Sequence, residues 1–501
     1  MLSLTAAIAA NRFGLGARPQ DGAAIGNDAR GWLDAQLMAA AKAVVTPKTE
    51  QPASASVLMK FRDLRVARQT AAQFRASFAP EQRTPPPAST QDSGETPPKS
   101  PGIDEQAIKE FREFVRENYV GQVNERHRRA IESDTPFVER LVHFWSNHFA
   151  ISADKQLVGP ICGLYEQEAI RPHVLGNFHT LLLAAEHHPG MNLYLDNTTS
   201  MGARSGAAEL AHRRGRTLGL NENLAREILE LHTLGVDGGY TQHDVTEFAK
   251  VLTGWSIGGQ IGERGLPGGQ RAKALLGDPD KPGEFFFRPI MHEPGDKTVL
   301  GQKYKERGVS EGEQVLAHLA VHPATAHHLA TKLAQQFVAD EPPAALVDRL
   351  AAVYLKNNGE LLPVYRALIA ASESWQEPLA KYKTPHDFVI STYRAMNVMP
   401  ERPETLIAFL SEMGQRPYTP GSPAGWPDTA AAWDGGDALL KRIEWAGAVG
   451  RRVGDRRNAL DLASAVLPES ADERTMGSIR NAESGAQAFA LLLAAPEFQR
   501  R

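Results

Sequence analysis

The fold class is decided by one stretch, Asp134-Thr135-Pro136-Phe137-Val138-Glu139-Arg140-Leu141-Val142-His143-Phe144-Trp145-Ser146-Asn147-His148-Phe149. It opens with capping residues and a proline at the first helical position, where the missing N–H costs nothing. Apolar side chains then recur at helical spacing, at Phe137, Leu141, Phe144 and Trp145. Such a stripe is typical of a helix that buries one face. The stretch therefore predicts a core helix that ends near residue 151.

Outward from this helix, the same periodicity predicts many more helices and little β-structure. The further helices are predicted at Asp104–Ser133, Pro160–His188, Asn221–Leu234, Thr241–Trp255, Ser310–Val321, Pro323–Val338, Ala344–Tyr354, Leu361–Ser374, Pro385–Met396, Glu404–Met413 and Ala438–Val449. Two of them begin with a capping-box pattern, Thr241 with Asp244 and Thr384 with Asp387. The sequence thus predicts a mainly α, multi-helical protein.

The length of 501 residues exceeds what one hydrophobic core usually serves, so we expect two closely packed helical lobes. The first spans 1–255 and contains a disordered insertion at about 79–102, where Pro, Ser, Thr and charged residues leave little apolar surface to bury. A connection at 256–309 follows, and 310–501 forms the second lobe. Within the connection, Phe285–Met291 and Thr298–Gly301 flank a Pro-Gly turn and predict a short β-hairpin.

Composition excludes several classes of protein. Hydrophobic residues make up 42% and charged residues 23%, as in ordinary globular proteins. The net charge of −4 offers no basic field for nucleic acid, so none is expected as a partner. Cys162 is the single cysteine, so an intramolecular disulfide or a thiolate cluster cannot form. No signal peptide and no membrane span are recognised, and the cytoplasm is the expected compartment.

Two histidines of the quoted stretch are candidate ligands. His148 falls in the apolar stripe, which predicts that it is buried. His143 lies about 140° around the helix from it, so the two do not form the i, i+4 pair that chelates a metal from one helix. A metal site would need residues from other segments. The alternative is a core histidine satisfied by one hydrogen bond.

A second polar pattern lies in Asn221–His232. Leu224, Ile228 and Leu231 form an apolar strip, and Glu227 and Glu230 border it three residues apart. Two carboxylates that point the same way repel each other unless a cation, a shared proton or an arginine compensates. This predicts a metal or acid/base site. The alternative is a plain ion pair between Arg226 and Glu230.

A third group of polar residues crowds one turn, His292 through Lys297, and turns often carry functional residues. We therefore regard His292, Asp296 and Lys297 as candidate catalytic residues. Motifs for nucleotide binding and for common hydrolases are missing from the sequence: there is no P-loop, no Gly-x-Gly-x-x-Gly after a strand, no nucleophile elbow and no His-Glu-x-x-His helix.

Several blocks, in this order along the chain, resemble a large bacterial family. They are Asn11–Gly16, His143–Phe149, Glu222–Gly235, Tyr240-Thr241, Leu252–Trp255, His292–Lys297, His322–Thr325 and Gly425–Pro427. The family is known as domain of unknown function 1800, and the resemblance spans nearly the whole chain. It implies no agreed reaction. Its members are often encoded beside a sulfatase-like protein with an export signal, which implies a possible partner and an alternative location in the periplasm by co-export.

Three hypotheses follow. The first is a metal-dependent oxidoreductase or hydrolase in which Glu227, Glu230, His148 and His143, with or without His292, hold iron, copper, zinc or manganese. The second is a non-catalytic helical partner or escort of the sulfatase-like protein. The third, a metal-free acid/base enzyme acting on carbohydrate, ranks last because carboxylates three residues apart on one helix cannot flank a scissile bond.

Overall fold

The computed structural model describes residues 1–42, 53–78, 103–213, 215, 219–259, 282–376 and 379–501. The predicted insertion at 79–102 lies outside these residues, as does most of the glycine-rich stretch 258–283. Among the described residues there are 23 α-helices and two sheets of two strands each, which confirms the mainly α prediction.

The helices of the first half are α1 (Leu4–Ile8), α2 (Asp21–Ile25), α3 (Ala29–Lys42), α4 (Ser54–Phe78), α5 (Ile103–Glu132), α6 (Pro136–His148), α7 (Cys162–Tyr165), α8 (Phe178–His187), α9 (Pro189–Tyr194), α10 (Gly206–His212), α11 (Asn223–Glu227) and α12 (Gln242–Leu252). Those of the second half are α13 (Val309–Ala320), α14 (Pro323–Phe337), α15 (Ala344–Lys356), α16 (Leu361–Ala370), α17 (Pro385–Met396), α18 (Pro403–Glu412), α19 (Gly436–Val453), α20 (Ala459–Val466), α21 (Glu473–Arg480), α22 (Gly485–Ala494) and α23 (Pro496–Gln499). The strands are β1 (Trp255–Ile257), β2 (Phe285–Phe287), β3 (Lys297–Val299) and β4 (Gln302–Tyr304).

Helix α6 is a core element, as its sequence predicted. Phe137, Leu141 and Trp145 are fully buried along its apolar stripe. The indole N–H of Trp145 donates to the Tyr365 hydroxyl at 2.7 Å, so the polar atom of this large side chain is satisfied inside the core. The opposite face of α6 carries His143 and Asn147 to a different part of the molecule.

The strand pairing differs from the predicted hairpin. Strand β2 pairs with β1, and β3 pairs with β4, both antiparallel. The tight turn lies at Leu300-Gly301, where both residues have positive φ, 51° and 74°. Two consecutive positive φ values define the type I′ turn that suits a two-residue hairpin. The Pro294-Gly295 pair instead shapes the loop before β3, so the predicted pairing across it was wrong.

Three short segments of the described residues are π-helical: Ala9–Phe13, Glu166–Ile170 and Ile228–His232. A π-helical turn takes one residue more than an α-helical turn, and it often occurs at functional sites. The last segment directly continues α11, so the predicted helix Asn221–Leu234 is split. Side chains after Glu227 are consequently rotated away from the positions that regular helical spacing gives them.

Of the two predicted capping boxes, one forms completely and the other only in part. Thr241 and Asp244 form the complete box at the start of α12. At α17, the Thr384 hydroxyl accepts the Asp387 N–H at 3.1 Å, but the Asp387 carboxylate contacts two arginines instead of the helix N-cap. Because the Asp387 carboxylate does not cap the helix, it is a charged group beside the site described below.

Most of the hydrophobic core is one contiguous cluster that includes residues from Leu2 to Phe498. A second, small cluster contains Leu15, Ala130, Ile131 and Ile390. The division into two lobes at residues 255 and 310 stays a prediction. None of the described helices is both long and apolar enough to cross a membrane.

Candidate functional site

The carboxylates of the predicted stripe are half-buried. Burial raises the pKa of Glu227, because the charged form loses water, and the nearby charges of Glu230 and Glu186 raise it further. Glu230 accepts a hydrogen bond from the Tyr240 hydroxyl at 3.2 Å. Arg226 bonds Glu222 at 3.3 Å, so the plain ion pair expected between Arg226 and Glu230 does not form.

Beneath this stripe lies a buried pair that local sequence patterns did not indicate. His232 Nδ1 lies 2.8 Å from Glu186 Oε1, and both side chains are fully buried. No local sequence pattern links His232 to Glu186, because the two residues are 46 positions apart in the chain. Glu186 Oε2 and His232 Nε2 have no hydrogen-bond partner among the described residues.

His148 belongs to the same neighbourhood. Its Nε2–H donates to the backbone oxygen of His232 at 3.1 Å, and His328 donates in the same way to Leu231 at 3.0 Å. Burial, followed by the charges of His328 and His232, holds the pKa of His148 well below its usual value. His148 is therefore a buried neutral imidazole that ties α6 to the π-helical segment Ile228–His232.

His143 lies on a different face of α6 from His148. Its ring contacts the ring of His386 on α17, with centroids 4.9 Å apart, and His386 in turn contacts His127 on α5 at 5.2 Å. The ring neighbours of His148 are instead Phe144, Trp145, Phe149, His232 and His328. The structure thus places the two predicted ligands of α6 in different surroundings. Within the described parts of the chain, no group of three or more His, Cys, Asp or Glu side chains is arranged to hold a metal ion.

A polar cavity of about 110 Å³ opens beside His143. We call it the histidine pocket. Helix α6 contributes His143 and Asn147, α5 contributes Arg126, α17 contributes His386 and Asp387, and the loop 415–428 forms the remaining wall. Its volume suits a small molecule or several waters, since one water takes about 30 Å³ in the liquid.

The histidine pocket presents imidazole nitrogens that have no protein partner. Both ring nitrogens of His143, and Nε2 of His386, are shielded from solvent and make no hydrogen bond to any described residue. Buried polar atoms in proteins are almost always satisfied, so each exception needs an explanation. A neutral imidazole carries one donor and one acceptor, and both are left for a ligand at His143.

The electrostatics of the pocket keep these imidazoles neutral. Burial holds the pKa of His143 and of His386 well below the usual value of histidine. The Arg126 guanidinium lowers the pKa of both residues further, because a neighbouring cation disfavours protonation. Both histidines are therefore unprotonated at neutral pH and at mildly acidic pH.

Buried ion pairs fix the charged walls. Arg126 pairs with Glu166, whose Oε2 also accepts the Ser146 hydroxyl at 3.0 Å. On the other side, Asp387 contacts Arg140 at 3.2 Å and Arg501 at 2.9 Å. Two cations hold the pKa of Asp387 well below its usual value, so this carboxylate stays charged. Two arginines, Arg126 and Arg140, and two aspartates, Asp387 and Asp428, line the cavity.

The loop 415–428 is held against α6 by specific contacts. The Asn147 side chain donates to the Trp426 carbonyl at 2.9 Å and accepts the Trp426 N–H at 2.7 Å. Gly425 has a positive φ of 78°, and a Cβ there would collide with the backbone oxygen of Asn147. Tyr418, also at positive φ, lies under the Arg126 guanidinium at 5.0 Å. The Gly425–Pro427 block noticed in the sequence thus shapes the pocket.

The predicted catalytic turn is split between the interior and the surface. Lys297 Nζ contacts His292 Nε2 and Glu311 Oε2, each at 3.1 Å, and donates to the Glu293 carbonyl at 2.6 Å. All three side chains of this Lys297–His292–Glu311 cluster are buried. Asp296 instead lies on the surface and pairs with Lys303 at 3.0 Å. Glu311, on α13, was not expected from the sequence, and a catalytic role for the turn stays a prediction.

The fold and the pocket define a mainly α-helical protein with neutral imidazoles facing a polar cavity. The chain belongs to the family described as protein of unknown function (DUF1800), whose model matches residues 8–500. This confirms the resemblance noted in the sequence. No curated protein and no solved structure matches the chain.

Proposed function

We propose that the protein is an enzyme that performs general acid–base catalysis in the histidine pocket, as a hydrolase of a small polar substrate. The observation that carries this proposal is His143, whose two ring nitrogens are buried beside a cavity and bonded to no described residue. Perturbed titratable groups that converge on a cavity are the usual mark of an active site. The pocket differs from the metal site predicted in the sequence, but it shares His143 with that site.

His143 is the general base in this proposal. Its neutral imidazole takes a proton from a water molecule, and the water oxygen forms a bond to the electrophilic carbon, phosphorus or sulfur atom of the substrate. The leaving group departs with its bonding electron pair and receives the proton back from His143, so no oxidant or reductant is needed. Positioned acid–base groups of this kind contribute about 10²- to 10⁴-fold to the rate.

The arginines supply the electrostatic part. Arg126 lies over Tyr418 of the loop and supplies a positive charge for the oxygen on which negative charge develops. The pair of Arg140 and Arg501 around Asp387 leaves a further net positive charge nearby. A polar substrate fits this environment, because charged groups of both signs line the cavity.

Ser146 is not assigned as a nucleophile. Its hydroxyl donates to Glu166, a carboxylate already engaged by Arg126, and no described histidine bonds it. A serine nucleophile needs a base that accepts its proton. We therefore propose direct attack by water without a covalent intermediate.

The test is a screen of carboxylic, phosphoric and sulfuric esters and of amides with three proteins. They are the wild type, His143→Gln, and His243→Gln, which removes an exposed histidine on α12 as the matched control. We expect a hydrolytic activity that falls about 10²- to 10⁴-fold in His143→Gln and is unchanged in His243→Gln. An activity that is equal in all three proteins would contradict the assignment of the pocket.

A metal-dependent oxidoreductase or hydrolase is the second candidate. The observation that favours it is the ring contact of His386 with both His127 and His143, although these three side chains are not arranged around one point as metal ligands are. Neutral imidazole is the commonest metal ligand, and His127 donates Nδ1–H to the Val123 carbonyl at 2.7 Å, which leaves Nε2 to coordinate. Elemental analysis decides: stoichiometric iron, copper, zinc or manganese that is lost in His143→Gln supports this candidate.

If the protein shows neither hydrolysis nor bound metal, a non-catalytic partner of a sulfatase-like protein becomes the favoured function. In that case the protein would act in the cytoplasm or, if it is exported together with its partner, in the periplasm. Co-purification with a sulfatase-like protein encoded nearby, in fractionated cells, tests the partner and the compartment together.

A further inference from the structure

Helix α19 carries an exposed apolar patch near its start. Leu439, Leu440 and Ile443 are 41%, 54% and 47% exposed, and they are three of the ten large hydrophobic side chains found exposed among the described residues. These three side chains lie within five consecutive positions, whereas exposed hydrophobic side chains on protein surfaces are normally scattered singly. We call these three residues the leucine patch. Three exposed acidic residues and one lysine border it: Asp434, Asp437, Glu444 and Lys441. Lys441 pairs with Asp437 at 2.6 Å, so the border keeps a net negative charge.

A groove with the opposite charge lies at the other end of the same helix. It has a volume of about 440 Å³, and its apolar floor includes Met396, Val398, Met399, Phe409, Val449 and Val453. Arg452, Arg456 and Arg457 line it, and Arg402 lies in the adjoining cavity that shares Arg452. Glu401 is the acidic residue in this lining. We call this surface the arginine groove.

The leucine patch and the arginine groove are complementary in apolar surface and in the charge of their borders. The patch is apolar with an acidic border, and the groove is apolar with a basic border. Opposite potentials across an interface favour encounter and fix register, while burial of the apolar side chains supplies affinity.

The two surfaces of one molecule cannot meet each other. Leu440 and Val449 are nine residues apart on a continuous helix, and so are Ile443 and Arg452, which places each pair about 180° apart around the helix axis. A rigid helix cannot fold its own patch into its own groove. The complementary surface must therefore come from another molecule.

We propose that the arginine groove receives the leucine patch of a second copy of this chain. The contact is heterologous, because different surfaces of the two copies meet, so it repeats head to tail unless the rotation closes a ring. Nothing in the histidine pocket takes part, since that pocket is formed by α5, α6, α17 and the loop 415–428. The association is thus independent of the proposed catalytic function.

The test uses the full chain in sedimentation velocity and light scattering over a concentration series. Leu440→Glu disables the patch and Arg452→Glu disables the groove; both residues are exposed, so both variants should keep the wild-type circular dichroism spectrum and melting temperature. We expect the average mass of the wild type to rise with concentration and to fall with added salt, which screens the charges. Each variant alone should remain monomeric.

The decisive sample is the equimolar mixture of the two variants. Leu440→Glu retains an intact groove and Arg452→Glu retains an intact patch, so the mixture should form a 1:1 dimer that grows no further. A wild type that is monomeric at every concentration would overturn the proposal. So would a mixture that stays monomeric while the wild type associates, because that result belongs to a symmetric interface, and so would association that neither variant weakens.

Discussion

Replacing Glu311 by glutamine tests whether the cluster Lys297–His292–Glu311 holds the fold or performs chemistry. The Glu311 side chain is fully buried, and its Oε2 contacts Lys297 Nζ and His292 Nε2 at 3.1 Å each. In Glu311→Gln the shape is kept, but the buried ammonium of Lys297 loses its counter-charge. Breaking a buried pair by removing one partner costs about 3–5 kcal/mol. We therefore expect the free energy of unfolding to fall by that amount.

The assay is urea unfolding followed by circular dichroism, with Asp296→Asn as the control. Asp296 belongs to the same turn and pairs with Lys303, but the two side chains are 39% and 69% exposed. Exposed pairs contribute about 0–1 kcal/mol, so this variant should lie near the wild type. If Glu311→Gln costs less than about 1 kcal/mol, the cluster is not a buried ionic tie. Catalysis by His292 and Lys297 predicts the reverse pattern, with activity lost while stability is kept.

Three further predictions concern the core, the buried histidines and the pocket loop. Leu141→Ala should lower the free energy of unfolding by about 2–5 kcal/mol in the same assay, since Leu141 is fully buried; a loss below about half a kcal/mol would contradict its place in the core. Burial lowers the pKa of His127 to about 3, so between pH 6.5 and 3 the unfolded chain binds a proton that the folded protein excludes. Stability should consequently fall as pH drops through this window, by up to about 1.4 kcal/mol per pH unit for this residue, and His127→Gln should have a shallower slope. Gly425→Ala should release the loop, seen as faster proteolysis within 415–428, whereas Gly421→Ala, which meets open space, should not.

Local patterns were sufficient to predict α6. Its proline and its apolar stripe lie within sixteen consecutive residues, and the burial of Leu141 and Trp145 follows from their spacing alone. The predicted side-chain cap does not form, since Thr135 at the N-cap makes no side-chain hydrogen bond to the helix. The complete capping box at Thr241 and Asp244 also follows from local spacing. Features whose causes lie within a few residues of each other can be derived from one sequence.

The partners of the polar side chains could not be predicted in this way. His143 was noticed, but His386 lies more than two hundred residues later, and only the packing of α17 against α5 and α6 brings the two rings together. Glu186 and Glu311 could not be predicted for the same reason, since only tertiary packing brings Glu186 to His232 and Glu311 to His292. Helical spacing identifies which face a residue occupies; it does not identify what packs on that face.

The π-helical segment after α11 explains why the stripe of Glu227 and Glu230 differs from expectation. The predicted positions assumed regular helical spacing as far as Leu234. The wider turn at Ile228–His232 changes that spacing and presents the carbonyls of Leu231 and His232 to two imidazoles. A π-helical turn depends on such tertiary contacts, and no residue pattern in the stretch indicated it.

The central claim is that His143 is a neutral imidazole presented to a ligand in the histidine pocket, and its protonation can be measured directly. The experiment is a pH titration by NMR of protein labelled with ¹³C-histidine, in which the His143 signal is assigned by its loss in His143→Gln. We predict that this signal remains that of neutral imidazole well below the usual histidine pKa of about 6.5. We also predict that the His143 signal shifts when a substrate or product of the enzyme is added, whereas the signal of exposed His243 does not. A His143 signal that titrates near pH 6.5, and that is unmoved by every compound the wild type hydrolyses, would contradict this assignment of His143.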